Sequence, residues 1–222
     1  MAKQRVDKIK RFDNKADKTV FELVSKGGMV AEEVILQHIS KTRLANLDHD
    51  RYFEKVPTDN GGRYRLAVRG RHLAEDRWGI TNHTNTKVSS TVHDCRVGDE
   101  VGKVKDISSV ITEDTMWERF YQHVADLKEE AAELEKLRLD KSIPYEQRQE
   151  YAERWKQKDI EYSRLEELKE RDAISAPDFG YIDENGALVF VEITTGSYGF
   201  AERQSKQEMA KALGGSLRFV KA

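Results

Sequence analysis

The chain has 222 residues, which is enough for one large domain or two small ones. Charged residues make up 35% of it and the mean hydropathy is −0.75, so the composition excludes a protein built mainly of membrane-spanning segments. The formal net charge of −2 hides an asymmetry, because residues 1–80 hold 17 Lys and Arg against 12 Asp and Glu, net +5, whereas residues 111–173 hold 12 against 18, net −6.

The single cysteine, Cys95, excludes an internal disulfide and a Cys/His metal knuckle. No run approaches the roughly 18 apolar residues of a membrane span, and the basic N-terminus lacks the apolar stretch of a secretory signal. We therefore expect a soluble, cytoplasmic protein without a membrane partner. The basic first third is where an acidic partner such as DNA would bind.

Residues 1–80 predict a winged helix-turn-helix. Apolar residues recur with a helical period in three successive segments, the first ended by a Gly pair and the third capped by Ser40. Two strand-like runs then flank the turn "PTDNGG", and a further helical pattern follows. The predicted elements are helices over 16–28, 29–39 and 40–50, strands over 51–56 and 63–68, and a helix over 69–79. In a winged helix the third helix enters the major groove and the hairpin lies over the DNA backbone.

The candidate DNA contacts are polar and basic side chains on the third helix and on the hairpin, or wing. Side chains on the helix would point at the DNA, and those on the wing would contact phosphate. The candidates are Lys41, Thr42, Arg43 and Asn46 on the helix, and Arg63 and Arg65 on the wing. Because Lys and Arg on an exposed helix face are usually just solvated, a small helical domain used for protein contacts is the alternative.

Residues 84–106 predict an amphipathic helix, although Gly98 and Gly102 disfavour one. His93 and Asp94 in this segment are interpreted as a surface pair rather than as a catalytic pair. A short strand is predicted to follow the helix. The inner side of the helix is marked by Val88, Val92, Cys95 and Val101.

The segment 114–172 is acidic and rich in Glu, Lys, Leu and Ala, with apolar residues at three- and four-residue steps. Pro144 interrupts the pattern near its middle. Two helices of about 25 residues, each on the order of 35–40 Å long, would pair as an antiparallel coiled hairpin. This hairpin is either an arm for homodimerisation or partner binding, or an insertion that folds back on its own domain.

Strand patterns return in "PDFGYIDENGALVFVEITTG", residues 177–196. Two runs flank the turn "DENG", and the acids Asp178 and Glu192 lie one on each side of it. Two carboxylates that face each other across a hairpin are the kind of oxygen ligands that a divalent cation prefers. A helix over 200–215 and a strand over 216–222 complete the chain.

The order helix, strand, hairpin strands, helix, strand, with an acid on each side of the hairpin, resembles the PD-(D/E)xK nuclease fold. The resemblance implies an Asp, a second acid and a Lys around Mg²⁺, which activates water and stabilises the transition state. Asp178 and Glu192 match the two acids, and the lysine position is Thr194 in "EIT". Glu100 or Asp99, on the preceding helix, would add a metal ligand.

Thr194 departs from the nuclease motif, because a threonine cannot supply the positive charge. Three interpretations stay open. Lys206, or next Lys211, could reach in from the following helix; the metal site could persist without efficient cleavage; or the fold could serve only as a scaffold.

The whole layout resembles the replication-relaxation family of bacterial plasmids and mobile elements. The likeness rests on the winged helix, on "TVHDCRVGDEV" and on the "PD" and "FVEITTG" strands, and it covers residues 1–110 and 174–222. It implies DNA binding in replication or DNA processing, with a nuclease-like domain that often lacks a full active site. An active Mg²⁺-dependent DNA endonuclease and a dimeric transcriptional regulator are the alternatives.

The predicted fold class is α+β. Residues 1–80 form the winged helix-turn-helix, and residues 81–222 form a PD-(D/E)xK nuclease-like α/β domain into which the long antiparallel helical hairpin 114–172 is inserted. The predicted partners are double-stranded DNA and a second copy of the chain, and the predicted cofactor is Mg²⁺.

Overall fold

The computed structural model describes residues 12, 14–58, 61–84, 86, 91–196 and 198–222. Helices and two β-sheets confirm the α+β class. The chain divides into two compact units, of which the first contains residues 1–113, 178–197 and 218–222, and the second contains residues 114–177 and 198–217. One predicted inner residue, Val88, lies outside the described residues.

The first unit begins with the helices and the hairpin that the sequence predicts. Helix α1 (Lys15–Gly27) is capped by the side chain of Asn14, which accepts a backbone N–H two residues on, and it ends at Gly28, whose φ is 69°. Ser40 caps the third helix as predicted. The elements after α1 are β1 (Val30–Ala31), α2 (Glu32–Ile35), α3 (Lys41–His49), β2 (Phe53–Thr58), β3 (Gly61–Leu66) and α4 (Val68–Trp78).

The second predicted helix, over 29–39, is wrong in its first part. Val30 and Ala31 form strand β1, which pairs antiparallel with Tyr64 and Arg63 of β3, and the helix that follows is only the single turn α2. Both side chains of β1 are buried in the core, and its backbone adds a third strand to the hairpin. The resulting sheet has the order β1-β3-β2.

Helix α5 (Thr91–Val101) confirms the helix predicted in the middle segment, over a shorter range. Val101 is buried, which confirms its predicted place on the inner side, whereas Val92 is 70% exposed and was placed there wrongly. Val97, which was not predicted to face inward, is buried as well. Gly98 permits the packing of this helix rather than weakening it, since a Cβ there would lie 1.9 Å from a backbone carbonyl oxygen of the chain before β1.

A four-stranded sheet completes the first unit and confirms the strands predicted around the two acids. It contains β4 (Ile111–Thr112), β5 (Phe179–Ile182), β6 (Leu188–Thr194) and β7 (Ser216–Lys221), in that order. Strand β5 pairs antiparallel with both β4 and β6. The C-terminal ends of β6 and β7 meet, because the N–H of Ala222 donates to the carbonyl oxygen of Thr194 at 3.0 Å.

A single hydrophobic core joins the N-terminal elements of the first unit to this sheet. The rings of Phe21 and Phe53 pack with their centroids 4.9 Å apart, and the same cluster of buried residues extends to Val97 on α5 and Val191 on β6. The predicted domain boundary at residue 80 does not separate compact units, because apolar side chains from both sides of it are buried in one cluster.

The second unit contains the predicted helical hairpin, formed by α6 (Glu113–Leu139) and α7 (Tyr145–Glu170). The helices run antiparallel, because Glu130 of α6 pairs with Lys158 of α7 at 2.7 Å while Arg138, further along α6, lies over the ring of Trp155, earlier on α7. The buried stripe of α6 follows the predicted three- and four-residue steps. Its members are Met116, Phe120, Val124, Leu127, Ala131 and Leu134.

Helix α8 (Phe200–Ala212) belongs to the same unit as the hairpin. Arg164 of α7 donates to Glu208 of α8 at 2.5 Å, and the Ser175 and Ser205 hydroxyls are 2.8 Å apart. The hairpin is therefore not an isolated arm, because the helix predicted to lie in the nuclease-like core packs with it.

Candidate functional site

The two predicted acids meet at the start of β5 and near the end of β6. Asp178 directly precedes β5, whose first residue Phe179 lies opposite Val191, so Asp178 and Glu192 face each other across the hairpin. The N–H of Asp178 donates to Glu192 Oε2 at 3.1 Å, and the N–H of Ile193 donates to Asp178 Oδ2 at 2.6 Å. Each carboxylate therefore accepts a backbone N–H from the other strand, which fixes its orientation.

His93 on α5 completes this group, although the sequence suggested only a surface pair. Its Nε2 lies 3.1 Å from Asp178 Oδ1 and 3.2 Å from Oδ2, and its Nδ1 lies 3.3 Å from Asp94 Oδ1. Ionised carboxylates only accept hydrogen bonds, so both ring nitrogens carry protons and the ring is an imidazolium. The hydrogen bonds to Asp178 and then to Asp94 raise the pKa of His93 to about 10, against the opposing effect of burial.

The acids on α5 that the sequence nominates as further metal ligands are already paired with cations. The Glu100 side chain is 4% exposed and has the side-chain nitrogens of Arg96 at 3.2 Å, Lys103 at 2.5 Å and Arg218 at 3.3 Å from its oxygens. Asp99 accepts two hydrogen bonds from an arginine of β3, at 2.6 and 3.1 Å. None of these bonds orients Glu100 or Asp99 toward Asp178 and Glu192.

Thr194 and Lys206 each donate to a backbone carbonyl oxygen. The Thr194 hydroxyl donates to the carbonyl oxygen of Val220 at 3.3 Å, so it ties β6 to β7. Lys206 lies on α8 in the second unit, where its Nζ donates to the carbonyl oxygen of Ala176 at 2.5 Å. In the first unit, the ring of His93 is a cationic group beside Asp178.

The residues of this group, as arranged, do not fit a divalent cation. Carboxylates are suitable ligands for Mg²⁺, which prefers near-octahedral oxygen coordination at about 2.0–2.1 Å. Yet both oxygens of Asp178 are within hydrogen-bond distance of the imidazolium of His93, and Glu100 is enclosed by three cations. Across the described part of the chain, no cluster of three or more His, Cys, Asp or Glu has the arrangement of a metal centre.

Comparison with protein-family models, with curated proteins and with solved structures finds no match for this chain.

The candidate DNA contacts separate into exposed side chains and side chains that stabilise the fold. Lys41, Thr42 and Asn46 are exposed on α3. Arg43, on the same helix, is bound to Asp17 of α1 by hydrogen bonds of 3.0 and 2.7 Å, and its guanidinium lies over the ring of an N-terminal phenylalanine. Arg43 therefore joins α3 to α1, which restricts its reach toward DNA.

The two wing arginines also pair within the protein. The Arg63 side chain is 8% exposed, and it binds Asp99 bidentately and the carbonyl oxygen of Cys95 at 3.0 Å. The expectation that Arg63 contacts phosphate is wrong, because its guanidinium is turned into the first unit and joins β3 to α5. Arg65 pairs with Glu54 across the hairpin through two 3.0 Å hydrogen bonds, and it stays partly exposed.

The outer face of α3, defined by its exposed residues, has no acidic member. Its residues are Lys41, Thr42, Ala45, Asn46 and His49. Their spacing along the helix places them on one stripe, because residues three, four and seven apart share a side of an α-helix. The side chains offer a cation, a hydroxyl, an amide and an imidazole.

The first unit also contains a cavity of about 470 Å³ beside the end of α5 and the β5–β6 turn. Acidic and basic side chains line it together, including the ion pair between Lys105 and Glu184. This mixed lining favours no single class of ligand. Among the helices of the described residues, none has the length and apolar surface that crossing a bilayer requires.

Proposed function

We propose that this chain binds double-stranded DNA through the outer face of α3, with the β2–β3 hairpin as its wing, and that its nuclease-like region is a scaffold that does not cleave DNA. On the strength of the resemblance to the replication-relaxation family, we further propose that this binding serves the replication or processing of a bacterial plasmid or mobile element. The observation that carries the proposal is the stripe of exposed polar side chains on α3.

The chemistry of the outer face of α3 suits a major groove. An asparagine such as Asn46 can form paired hydrogen bonds with the edge of an adenine, and the hydroxyl of Thr42 can bond to either kind of base. Lys41, in the first turn of the helix, supplies a cation for a phosphate. The stripe itself has no acidic side chain, and the nearby carboxylate of Asp50 lies 3.4 Å from the ring of His49.

The ion pair between Arg43 and Asp17 supports the same function indirectly. Asp17 has a side chain that is 3% exposed, so the pair is largely shielded from water. The pair ties α3 to α1, and a recognition helix that is held in place before binding loses less conformational entropy when it binds. Arg43 is thus assigned as a positioning residue rather than a DNA contact.

Two features support a scaffold without cleavage. Thr194, in the motif's lysine position, bonds within the sheet and carries no charge, and His93 pairs with the carboxylate of Asp178. An active Mg²⁺-dependent endonuclease is the second candidate, because Asp178 and Glu192 do face each other as the nuclease motif requires.

Fluorescence anisotropy with a labelled duplex tests the DNA-binding proposal. We expect Lys41→Ala combined with Asn46→Ala to weaken binding about tenfold or more, because a bidentate base contact contributes about 1–3 kcal/mol. Loss of the phosphate contact should also reduce the dependence of the affinity on salt. The matched control is Lys156→Ala with Gln157→Ala, which removes an exposed lysine and an exposed amide from α7.

Equal binding by the α3 variant and by wild type, at matched salt and with both fully folded, would refute the assignment of α3. Equal losses in the α3 and α7 variants would instead point to non-specific attraction by surface charge.

Homodimerisation through the hairpin is part of the same proposal. Large apolar side chains are exposed on α6 and α7, among them Tyr121 at 51% and Ile160 at 58%. Sedimentation equilibrium of wild type and Ile160→Glu tests it, and we expect a dimer that the substitution dissociates. A monomeric wild type at micromolar concentration would remove this part of the proposal.

A further inference from the structure

We propose that single-stranded DNA binds to the outer face of α8, with the ring of Phe200 as a platform on which one base stacks. The outer face of α8 is defined by five exposed residues, which are Phe200, Arg203, Gln204, Gln207 and Lys211. The choice of DNA as the polymer rests on the proposed function. The site is a different one, because α8 belongs to the second unit whereas α3 belongs to the first.

Helix α8 has one side packed within the second unit and another side open to solvent. Met209 and Ala210 are buried, and Glu208 accepts a hydrogen bond from Arg164 of α7. The residues of the outer face recur at steps of three and four along the helix, so they share one side, away from Met209. This side extends over about three helical turns.

The outer face of α8 is cationic, although it belongs to an acidic unit. Its two charged residues, Arg203 and Lys211, are both basic. Helix α6 holds four Lys and Arg against eight Asp and Glu, and α7 holds six against eight. The exposed Glu202 is turned to the start of α8, where its Oε2 accepts the N–H of Gly199 at 2.8 Å. A polyanion is therefore attracted to this face and repelled by the hairpin helices.

The ring of Phe200 adds a contact that charge does not supply. Phe200 is 83% exposed, more than any other large apolar side chain in the described part of the chain. A lone exposed apolar residue is common on protein surfaces, but this one begins a strip of cations and amides. Bases stack on aromatic side chains with little dependence on sequence, because every base has a π-face. Lys211, about 16 Å further along the helix, supplies a cation for a phosphate.

The chemistry of the outer face of α8 favours a single strand over a duplex. In a duplex the bases are stacked on one another, so a phenyl ring on a helix surface cannot reach their faces without unstacking them. In a single strand the bases can be splayed out and stacked on side chains. Gln204 and Gln207 each bring an amide that donates and accepts hydrogen bonds, which suits base edges that have no pairing partner.

Fluorescence anisotropy of a labelled thymidine oligonucleotide with the full chain tests the proposal. We expect Phe200→Ala to weaken binding about tenfold, because it removes one base stack, and Phe200→Trp to preserve the affinity. Lys211→Ala should reduce the slope of log affinity against log salt by about 0.7, since one phosphate contact is lost, whereas Phe200→Ala should leave the slope unchanged. The matched controls are Tyr145→Ala and Lys156→Ala, which remove an exposed aromatic ring and an exposed lysine from α7 and should bind as wild type does.

A duplex arm separates this site from binding by α3. Phe200→Ala should bind a labelled duplex as wild type does, and Lys41→Ala with Asn46→Ala should bind the single strand as wild type does. Ultraviolet cross-linking to an iodouracil-containing oligonucleotide, followed by mass spectrometry, should place the cross-link at Phe200. This readout does not depend on the affinity of any variant.

Several results would overturn the proposal. These are absence of single-strand binding by wild type, equal affinity of folded Phe200→Ala and wild type, and an equal loss in Tyr145→Ala, which would mean that any exposed ring suffices. A dimer that Phe200→Ala dissociates without a change in single-strand affinity would assign the outer face of α8 to a second copy of the chain. None of these results bears on duplex binding by the α3 variants, so the two proposals can fail separately.

Discussion

At the scale of single residues, the protonation of His93 predicts how the stability of the fold depends on pH. Hydrogen bonds to Asp178 and Asp94 raise its pKa to about 10, whereas the pKa of an unfolded-chain histidine is about 6.5. A group whose pKa is raised by folding stabilises the folded state fully below its unfolded pKa, and that contribution is lost as pH rises through the folded pKa.

We therefore predict that the stability advantage of wild type over His93→Gln is largest below pH ~6.5 and decreases steadily until it vanishes above pH ~10. Urea unfolding of both proteins across this range measures the difference, in which titrations shared by the two chains cancel. A difference that stays constant from pH 6 to pH 10, or that grows with pH, would contradict the imidazolium assignment.

Arg63 and Arg65 illustrate what a sequence does and does not reveal about single residues. Both occur in "RYRLAV" on the predicted wing, and both were expected to contact phosphate. Only the structure distinguishes them, because the partner of Arg63 is Asp99, 36 positions away, whereas the partner of Arg65 lies across the hairpin. A buried arginine cannot be recognised from local pattern, since its partner comes from another element.

At the scale of elements, a single substitution can test the close contact between α5 and the backbone that precedes β1. A Cβ on Gly98 would lie 1.9 Å from the carbonyl oxygen of Met29, and backbone cannot move aside as a side chain can. We predict that Gly98→Ala lowers the free energy of unfolding by about 3 kcal/mol, at the upper end of the cost of overpacking a core.

Gly102→Ala is the matched control for this prediction, because its Cβ would meet a Val34 methyl group at 2.9 Å, which a side-chain adjustment can relieve. We expect a loss of about 1 kcal/mol or less for this control. Urea denaturation of both variants provides the comparison. Similar stability of Gly98→Ala and wild type would show that α5 does not approach the chain before β1 so closely.

The elements that sequence periodicity predicts best are the long ones. The stripe of α6, the hairpin β2–β3 and the strands around Asp178 and Glu192 all follow from spacing and turn residues. The two-residue strand β1 was missed, because a strand this short has no period of its own and exists only by pairing with β3. On α5, Val101 was correctly predicted to face inward, but Val92 was not, for a related reason: the contact stripe includes Gly98, which carries no hydrophobic signal.

At the scale of the whole molecule, the positions of the candidate residues depend on chain segments that are far apart in sequence. The first unit combines residues 1–113 with 178–197 and 218–222, and its single core includes residues from both sides of position 80. The sequence predicted both parts but assigned them to separate domains, because composition and motif spacing do not report which apolar faces meet. For the same reason His93 and Asp178, 85 positions apart, were not predicted to pair.

The last prediction concerns DNA cleavage by the full chain. A divalent ion would have to displace the imidazolium of His93 from Asp178, and Thr194 offers no charge for the scissile phosphate, so two contributions to the transition state are missing. We predict that wild type binds supercoiled plasmid DNA without nicking it in Mg²⁺ or Mn²⁺, as measured by agarose electrophoresis under conditions where anisotropy shows the DNA to be bound. The affinity of Asp178→Asn should equal that of wild type, because α3 carries the binding. Mn²⁺-dependent nicking by wild type that is lost in both Asp178→Asn and Glu192→Gln would establish the endonuclease in place of the scaffold.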